Sequence, residues 1–220
     1  DLEYERKYLM IAIIDYGIGN IHSLISAFQS YEIDGMPVEV VLTSDETVLK
    51  TAQMVILPGV GAFKYAMEEL EKRDLVSVIK ALYLMGKPLV GICLGMQLLY
   101  ESSEEYGFCK GLGLLKGKVV EIPDDLKKPH MGWNKLVLSG LEFEASAESL
   151  VSGLSEESYV YFVHSFYADE IELPTLVAST DYGVEIPAIV KKGNLIGFQF
   201  HPEKSGKVGG QLIQNVLKLL

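Results

Sequence analysis

The sequence predicts an α/β fold in which a mostly parallel central sheet is flanked by helices and is extended by antiparallel strands in the second half. In the first half, short apolar runs alternate with Gly-rich turns and helical segments, and this repeated strand–turn–helix order builds a parallel sheet. In the second half, short strand-like runs follow one another with few helices between them, which favours antiparallel pairing.

Each strand predicted in the first half is an apolar run that ends at a polar residue, a Gly or a Pro. These runs are 10–15, 37–42, 54–57 and 88–92. Between them we predict a helix over 21–31, a short helix capped by Ser44 or Asp45, and two helices within 63–84 that are separated near Arg73 and Asp74. The apolar run 10–15 is typical of a central strand that is buried on both faces.

The second half is predicted from shorter apolar runs. The polar, Gly-containing segment 101–113 is expected to be a loop, and the helix before it is expected to continue through Tyr100. The predicted strands are 114–122, 135–138, 159–167, 176–180, 188–191 and 195–200. Residues 192–194, Lys-Gly-Asn, are typical of a hairpin turn, and 205–220 are predicted to form a final helix.

Composition narrows the class of protein. The 220 residues suit one α/β domain, which we place at 10–220, with residues 1–9 as a short extension or an added remnant before Met10. The net charge of −11 argues against nucleic-acid binding, which needs a basic face. Two cysteines without a paired motif fit a reducing cytoplasm, and no apolar run reaches the length of a membrane span.

The segment Gly91-Ile92-Cys93-Leu94-Gly95 predicts a nucleophile. It places Cys93 between a strand and a helix, flanked by two glycines, which is the pattern of a nucleophile elbow. At a helix N-terminus the dipole and the free N–H groups favour thiolate over thiol. The alternative is that Cys93 is simply a small buried core residue.

A cysteine nucleophile needs a base and a group that orients the base. His201 follows the strand 195–200, and Glu203 lies two residues further on, so the carboxylate can reach one imidazole nitrogen while the other faces Cys93. The same two residues could instead bind a metal, although further ligands at suitable spacing are lacking, or they could form a surface turn.

Acyl transfer also requires donors for a developing oxyanion. The N–H of Leu94, directly after Cys93, is one candidate. The second candidate is the Gly59–Val60 peptide in the turn Pro58-Gly59-Val60-Gly61, which could otherwise be an ordinary turn between a strand and a helix.

Together, the motifs 91–97 (Gly-x-Cys-x-Gly-x-Gln) and 201–203 (His-Pro-Glu) resemble the class I, or triad, glutamine amidotransferases. Further stretches resemble the glutaminase subunits of imidazole glycerol phosphate synthases within that class, and the likeness runs from Met10 to the C-terminus. These stretches are 15–20 (DYGIGN), 58–63 (PGVGAF), 130–134 (HMGWN), 161–165 (YFVHS) and 201–205 (HPEKS). Phe166 stands where many members have Tyr, which puts a local contact in doubt.

The resemblance implies a reaction and the residues that perform it. Cys93 attacks the side-chain amide of glutamine, His201 moves protons, Glu203 orients His201, and ammonia and glutamate leave in turn, with no cofactor or metal. By the same resemblance, glutamine is held by Gly61, Gln97 and Glu105, and by backbone near His164 and Ser165. A carboxylate suits the α-ammonium group of glutamine, although Glu105 could also be a solvated loop acid.

The resemblance also implies a partner. Ammonia would pass through a channel to a (β/α)8-barrel cyclase subunit, with which the chain would form a heterodimer in histidine biosynthesis. Asn20, Trp133, Tyr161 and Lys204 match positions at or near the interface with that subunit, although Trp133 alone could equally be a core residue. The resemblance further suggests weak glutaminase activity without the partner, as expected if the Gly59–Val60 peptide must reorient.

Three other functions compete with this one. Another class I amidotransferase, of the anthranilate, guanylate or carbamoyl-phosphate type, is disfavoured by the stretches 130–134 and 161–165. A cysteine peptidase or related hydrolase is disfavoured by Gln97 and the expected glutamine pocket. A non-catalytic scaffold is disfavoured because Cys93, His201 and Glu203 are all present.

Overall fold

The fold is built on a nine-stranded sheet. The structure, a computed structural model, describes residues 8–19, 21–140 and 145–220. In spatial order the strands are β10 (Val137–Leu138), β13 (Leu176–Asp181), β14 (Glu185–Lys192), β15 (Leu195–Phe198), β5 (Leu89–Ile92), β4 (Met54–Leu57), β1 (Leu9–Ile14), β3 (Met36–Thr43) and β2 (Glu32–Ile33).

The sheet has a parallel centre and antiparallel edges, as predicted. Strands β3, β1, β4, β5 and β15 run parallel, whereas β14, β13 and β10 continue one edge in antiparallel fashion and β2 closes the other. The turn predicted at 192–194 is confirmed because β14 and β15 pair antiparallel with Lys192 opposite Leu195. The assignment of Leu195–Phe198 to the added antiparallel strands was wrong, since β15 pairs parallel with β5 and belongs to the central sheet.

Helices cover both faces of this sheet, because its central strands are apolar on both sides. In β1, Ile11 and Ile13 face one hydrophobic core and Ala12 and Ile14 face the other. The helices are α1 (Ile21–Gln29), α2 (Glu46–Thr51), α3 (Phe63–Lys72), α4 (Leu75–Leu84), α5 (Leu94–Leu98), α6 (Ala145–Leu150) and α7 (Gly206–Leu217). Core residues of α1, α6 and α7 share the first core, and those of α2 to α5 share the second.

Local signals for helix ends are confirmed at two places. Asp45 caps α2, since its carboxylate accepts hydrogen bonds from the N–H groups of Thr47 and Val48 at 2.8 and 3.0 Å. The predicted break between α3 and α4 occurs at Asp74, whose φ of 57° is left-handed and cannot continue a helix.

Instead of extending the central sheet as predicted, several strands of the second half form two smaller sheets. One pairs β9 (His130–Lys135) with β11 (Tyr159–His164), and the other joins β12 (Phe166–Asp169), β8 (Leu115–Glu121), β6 (Tyr100–Ser103) and β7 (Cys109–Lys110).

The segment 101–113, expected to be a loop, therefore contains strands, and α5 ends before Tyr100 instead of continuing through it. The polar composition of β6 and β7 concealed their antiparallel pairing, and β8 extends the same sheet by pairing parallel with β6. The single strand expected over 159–167 is divided at Ser165, where the chain leaves one small sheet and enters the other.

Among the described residues, no helix has both the length and the apolar character needed to cross a membrane.

Candidate active site

Cys93 occupies a strained turn between β5 and α5. Its φ of 53° and ψ of −114° lie outside the regions that ordinary residues prefer. The backbone N–H of Cys93 donates to the carbonyl oxygen of Phe198 at 2.7 Å, so this turn is tied to the end of β15. The side chain is 6% exposed. The elbow predicted from the spacing is therefore the geometry that the backbone adopts.

The two flanking glycines are required by close packing. A Cβ on Gly95 would lie 1.8 Å from the carbonyl oxygen of Leu57, at the end of β4. A Cβ on Gly91 would lie 2.8 Å from the backbone of Met96. Any other residue at these two positions would displace the first turn of α5, and Cys93 with it.

His201 and Glu203 form the pair predicted from their spacing. Nδ1 of His201 lies 2.8 Å from Oε1 of Glu203, and both side chains are buried. Burial lowers the pKa of His201, but a contact with Cys93, the hydrogen bond with Glu203 and the charges of both outweigh it and raise this pKa to about 9. At ordinary hydrogen-bond geometry, Nε2 of His201 has no partner among the described residues, so the contact with Cys93 is loose in this state.

The turn that carries His201 is held by the neighbouring strand β11. The backbone N–H of His201 donates to the carbonyl oxygen of Tyr161 at 3.1 Å, and the N–H of Tyr161 donates to Oγ of Ser205 at 3.0 Å. The Ser205 hydroxyl in turn donates to the carbonyl oxygen of His201 at 2.6 Å. These three bonds fix the imidazole relative to β11.

Most of the predicted site residues line one cavity of about 250 Å³. The lining residues are Val60, Gly61, Cys93, Leu94, Gln97, Glu105, Val163, His164, Ser165, Phe166 and His201. Gly59 and Glu203 line instead a much smaller cavity of about 20 Å³, which His201 and Val60 also border.

Glu105 is a buried carboxylate. It is 7% exposed, and its Oε2 accepts a hydrogen bond of 2.8 Å from the N–H of Phe63 at the start of α3. Burial raises the pKa of Glu105, the hydrogen bond from Phe63 opposes that shift, and the charge of Glu121 adds to it. The alternative of a solvated loop acid is therefore wrong. A carboxylate in this place can receive a cationic group from the cavity.

Gln97 is fixed by contacts that its position in the sequence did not reveal. Its Nε2 donates to the carbonyl oxygen of Phe166 at 2.8 Å and to Oε1 of Gln199 at 3.1 Å. One of these acceptors is a backbone carbonyl and the other lies 102 residues away. The Gln97 amide is therefore held in a single orientation at the cavity wall.

His164, which lines the cavity, forms a pair with the buried His130, and this pairing was not predicted. Nδ1 of His164 lies 2.9 Å from the carbonyl oxygen of Phe166, and its Nε2 lies 2.9 Å from Nδ1 of His130. These hydrogen bonds continue to Asn134, whose Nδ2 lies 3.3 Å from Nε2 of His130 and donates to the carbonyl oxygen of Asp181 at 2.9 Å. Burial, above all, lowers the pKa of His164 to about 3, and burial lowers that of His130 to about 4. Both rings are therefore neutral near pH 7.

We expect this histidine pair to make the fold less stable in mild acid. Unfolded histidine titrates near pH 6.5, so between about pH 6.5 and 4 the unfolded chain binds protons that the folded chain does not. The stability contributed by the two neutral rings is complete above that window and is lost as the pH falls through it. The loss is at most about 1.4 kcal/mol per pH unit for each histidine.

Thermal unfolding of the wild type and of His130→Gln between pH 7.5 and 4.5 measures this effect. We expect a shallower decline for the variant, whereas His22→Gln, which removes an exposed histidine of α1, should decline like the wild type. Parallel curves for the wild type and His130→Gln would contradict the assignment.

Three of the predicted interface residues lie near one another on the surface. Trp133 is 58% exposed and packs edge-on against Tyr161, with ring centroids 6.1 Å apart. Lys204 is exposed on the turn that carries His201 and Glu203. Asn20, the fourth predicted residue, lies outside the described residues.

In the described ranges, no group of three or more His, Cys, Asp or Glu side chains is arranged to hold a metal ion.

Comparison with known proteins places this chain in a family. The profile of the family described as glutamine amidotransferase class-I matches residues 12–218, so the chain belongs to that family. Two solved structures from Thermotoga maritima share its fold. One is PurLQS, with a TM-score of 0.70 and 20% identity, where the match covers 96% of this chain and 99% of PurLQS. The other is a glutamine amidotransferase, with a TM-score of 0.63 and 17% identity, where the match covers 97% of this chain and 84% of the other.

Several relatives that are 44–50% identical to this chain are named imidazole glycerol phosphate synthase subunit HisH. The protein of this name from Bacillus cereus (strain G9842) is 50% identical over 206 residues, covering 94% of this chain and 93% of the relative. That from Oceanobacillus iheyensis is 48% identical over 211 residues, covering 96% and 100%. Within the class I amidotransferases, the chain therefore belongs with the HisH subunits.

Proposed function

We propose that this chain is the glutaminase subunit of an imidazole glycerol phosphate synthase and that it supplies ammonia to a cyclase subunit. The observation that carries the proposal is that Cys93, at a strained elbow, shares one cavity with His201, whose other nitrogen is held by Glu203. This combination is that of a nucleophile, a base and a group that orients the base. Membership of the HisH family supports the choice of glutamine as the substrate.

In the proposed reaction, Sγ of Cys93 attacks the amide carbon of the glutamine side chain. A proton held by His201 passes to the amide nitrogen, the C–N bond breaks, and ammonia leaves a γ-glutamyl thioester on Cys93. Water, deprotonated by His201, then attacks the thioester and releases glutamate and the free thiol. The N–H groups of Leu94 and Val60 are the proposed donors to the oxyanion in both steps, since both residues line the cavity.

The rest of the cavity suits the other end of glutamine. The buried Glu105 carboxylate is the proposed partner of the α-ammonium group. Gly61, Gln97 and the segment His164–Ser165 line the same space and are the proposed contacts for the remaining polar atoms. The free thiols of the chain favour a reducing compartment, and we place the reaction in the cytoplasm.

The proposed partner is a cyclase subunit with a (β/α)8 barrel, bound as a heterodimer. Its docking face would include Trp133, Tyr161 and Lys204. This location is supported by the exposure of Trp133, a residue type enriched in interfaces, and by the bonds that tie Tyr161 to the turn carrying His201. Docking there would contact the segment that holds His201 and Glu203 in place.

We expect the partner to accelerate glutamate release. Adding the cyclase and its ribonucleotide substrate should raise the rate roughly 100-fold or more, because binding at this face would couple to the geometry of the oxyanion donors. Glutamate release with and without the partner measures the effect, and equal rates would overturn the coupling.

A pair of lysine variants makes this test specific to the proposed face. Lys204→Ala should reduce the stimulation and leave thermal stability unchanged, whereas Lys207→Ala, which removes an exposed lysine nearby in α7, should leave both unchanged. An unfolded Lys204→Ala variant would count against a role in coupling.

A further inference from the structure

Tyr16 is a completely buried tyrosine whose hydroxyl reaches the loop of the proposed oxyanion donors. It lies two residues beyond the end of β1 and has no exposed surface. Its hydroxyl donates a hydrogen bond of 2.5 Å to the carbonyl oxygen of Pro58. The Tyr16 hydroxyl oxygen also restricts Gly59, because a Cβ on Gly59 would lie 2.7 Å from it.

The hydrogen bond falls on one particular peptide of this loop. The Pro58 carbonyl belongs to the Pro58–Gly59 peptide, and the Gly59–Val60 peptide, which carries the proposed donor N–H, is the next one along the chain. Fixing the first peptide leaves the second free to turn about the bonds on either side of it. Gly59 has no Cβ to resist that turn.

The remainder of the loop is loosely held. Val60 is 44% exposed, and a Cβ added to Gly61 would meet no atom within 4 Å. On the side of His201 and Glu203, the loop borders the cavity of about 20 Å³. Tyr16 therefore anchors one end of a loop whose other end has room to move.

The Tyr16 hydroxyl is suited to remain a hydrogen-bond donor to the Pro58 carbonyl oxygen. Burial, and then the charge of Cys93, raise the pKa of Tyr16, so the phenol keeps its proton near neutral pH. That proton is engaged by the Pro58 carbonyl, so Tyr16 is a fixed donor to the loop instead of an acid for the reaction.

We propose that Tyr16 is a positioning residue for the oxyanion donor. Its hydroxyl pins the Pro58–Gly59 peptide, so that movement of the loop is confined to the Gly59–Val60 peptide and brings the Val60 N–H to the oxyanion. The proposal rests on the proposed glutaminase function and adds to it a residue that lies outside the cavity lining.

The test is Tyr16→Phe, which removes only the hydroxyl, in the full complex with the cyclase subunit. Loss of a complete oxyanion donor costs roughly 100- to 1000-fold in kcat, so we expect misplacement of that donor to lower kcat for glutamine about tenfold or more. The KM for glutamine should stay within about twofold because Glu105 and Gln97 are untouched.

A second measurement distinguishes an effect on the oxyanion loop from an effect on the reactivity of Cys93. Alkylation of Cys93 by iodoacetamide displaces iodide from a saturated carbon and develops no oxyanion, so its rate in Tyr16→Phe should equal that of the wild type. Digestion at glutamate separates Cys93 from Cys109, because Glu101, Glu104 and Glu105 lie between them. Mass spectrometry of the peptide that contains Cys93 then follows this rate.

Tyr100→Phe is the matched control. Tyr100 is also completely buried, and its hydroxyl has no hydrogen-bond partner in the described part of the chain. Its loss should leave kcat, KM and alkylation unchanged. If Tyr16→Phe does not fold, Tyr16→Met, which also lacks the hydroxyl, takes its place and should lower kcat with unchanged alkylation.

The outcomes are distinct. Unchanged kcat in Tyr16→Phe, or a fall in kcat matched by slower alkylation, would overturn the role of Tyr16 while leaving the proposed function intact. A wild-type complex that does not hydrolyse glutamine would overturn the proposed function and, with it, this inference. A fall in kcat with unchanged KM and alkylation supports the inference.

Discussion

Replacing Cys93 by Ser should abolish glutamine-dependent synthesis by the complex and leave ammonium-dependent synthesis intact. A serine hydroxyl is far less acidic than a thiol, so the same elbow would present an atom that His201 cannot ionise well. We expect glutamate release to fall at least about 10⁴-fold, as it does when a catalytic nucleophile is removed from other hydrolases. Added ammonium bypasses this step because it reaches the cyclase directly.

The control for this experiment is Cys109→Ser. Cys109 is the second free thiol, half-buried in β7, and its substitution should leave both activities unchanged. Measuring glutamate release and ammonium-driven synthesis on the same samples separates chemistry from folding. Loss of the ammonium-driven activity in Cys93→Ser would indicate that Cys93 is structural, and retained glutaminase activity would exclude it as the nucleophile.

The elbow could be predicted from the sequence because the residues that mark it lie next to one another in the chain. A strand, a cysteine and two glycines lie within five residues, and the contacts that require Gly95 are made where β4 and β5 lie side by side. The His201–Glu203 pair could be predicted for the same reason, since its two members are two residues apart. Short-range geometry of this kind is fixed largely by sequence spacing.

The direction of β15 could not be predicted, and it decides whether the site exists. An apolar run of four residues pairs equally well in either direction. Because β15 runs parallel to β5, with Phe198 opposite Ile92, both strands end at the same edge of the sheet. Cys93 follows one strand and His201 follows the other, so this pairing brings them together. An antiparallel β15 would have placed His201 at the opposite edge.

Contacts to backbone carbonyls were also beyond prediction. The carbonyl of Phe166 holds both Gln97 and His164, and the carbonyl of Pro58 holds Tyr16. A carbonyl oxygen is present at every residue, so no residue type marks the few that accept these bonds. The cavity wall therefore depends on tertiary contacts that only the folded chain reveals.

Replacing His201 by Ala should lower kcat for glutamine roughly 10³- to 10⁴-fold, because it removes the group that moves protons in both steps. Glu203→Ala should cost less, roughly 10- to 100-fold, because a misoriented imidazole still transfers protons at a reduced rate. The raised pKa of His201, about 9, depends in part on Glu203, so loss of the carboxylate should also shift the pH dependence of kcat to lower pH.

A variant that lacks both His201 and Glu203 tests whether Glu203 acts only through His201. If Glu203 acts only through His201, removing both should cost no more than removing His201 alone, since the carboxylate then has nothing to orient. Kinetics of the two single variants and the double variant, each in complex with the cyclase, measure this coupling. Additive losses would mean that Glu203 acts on the substrate or the loop independently. A larger loss for Glu203→Ala than for His201→Ala would reverse the roles, because a residue that only orients the base cannot contribute more than the base itself.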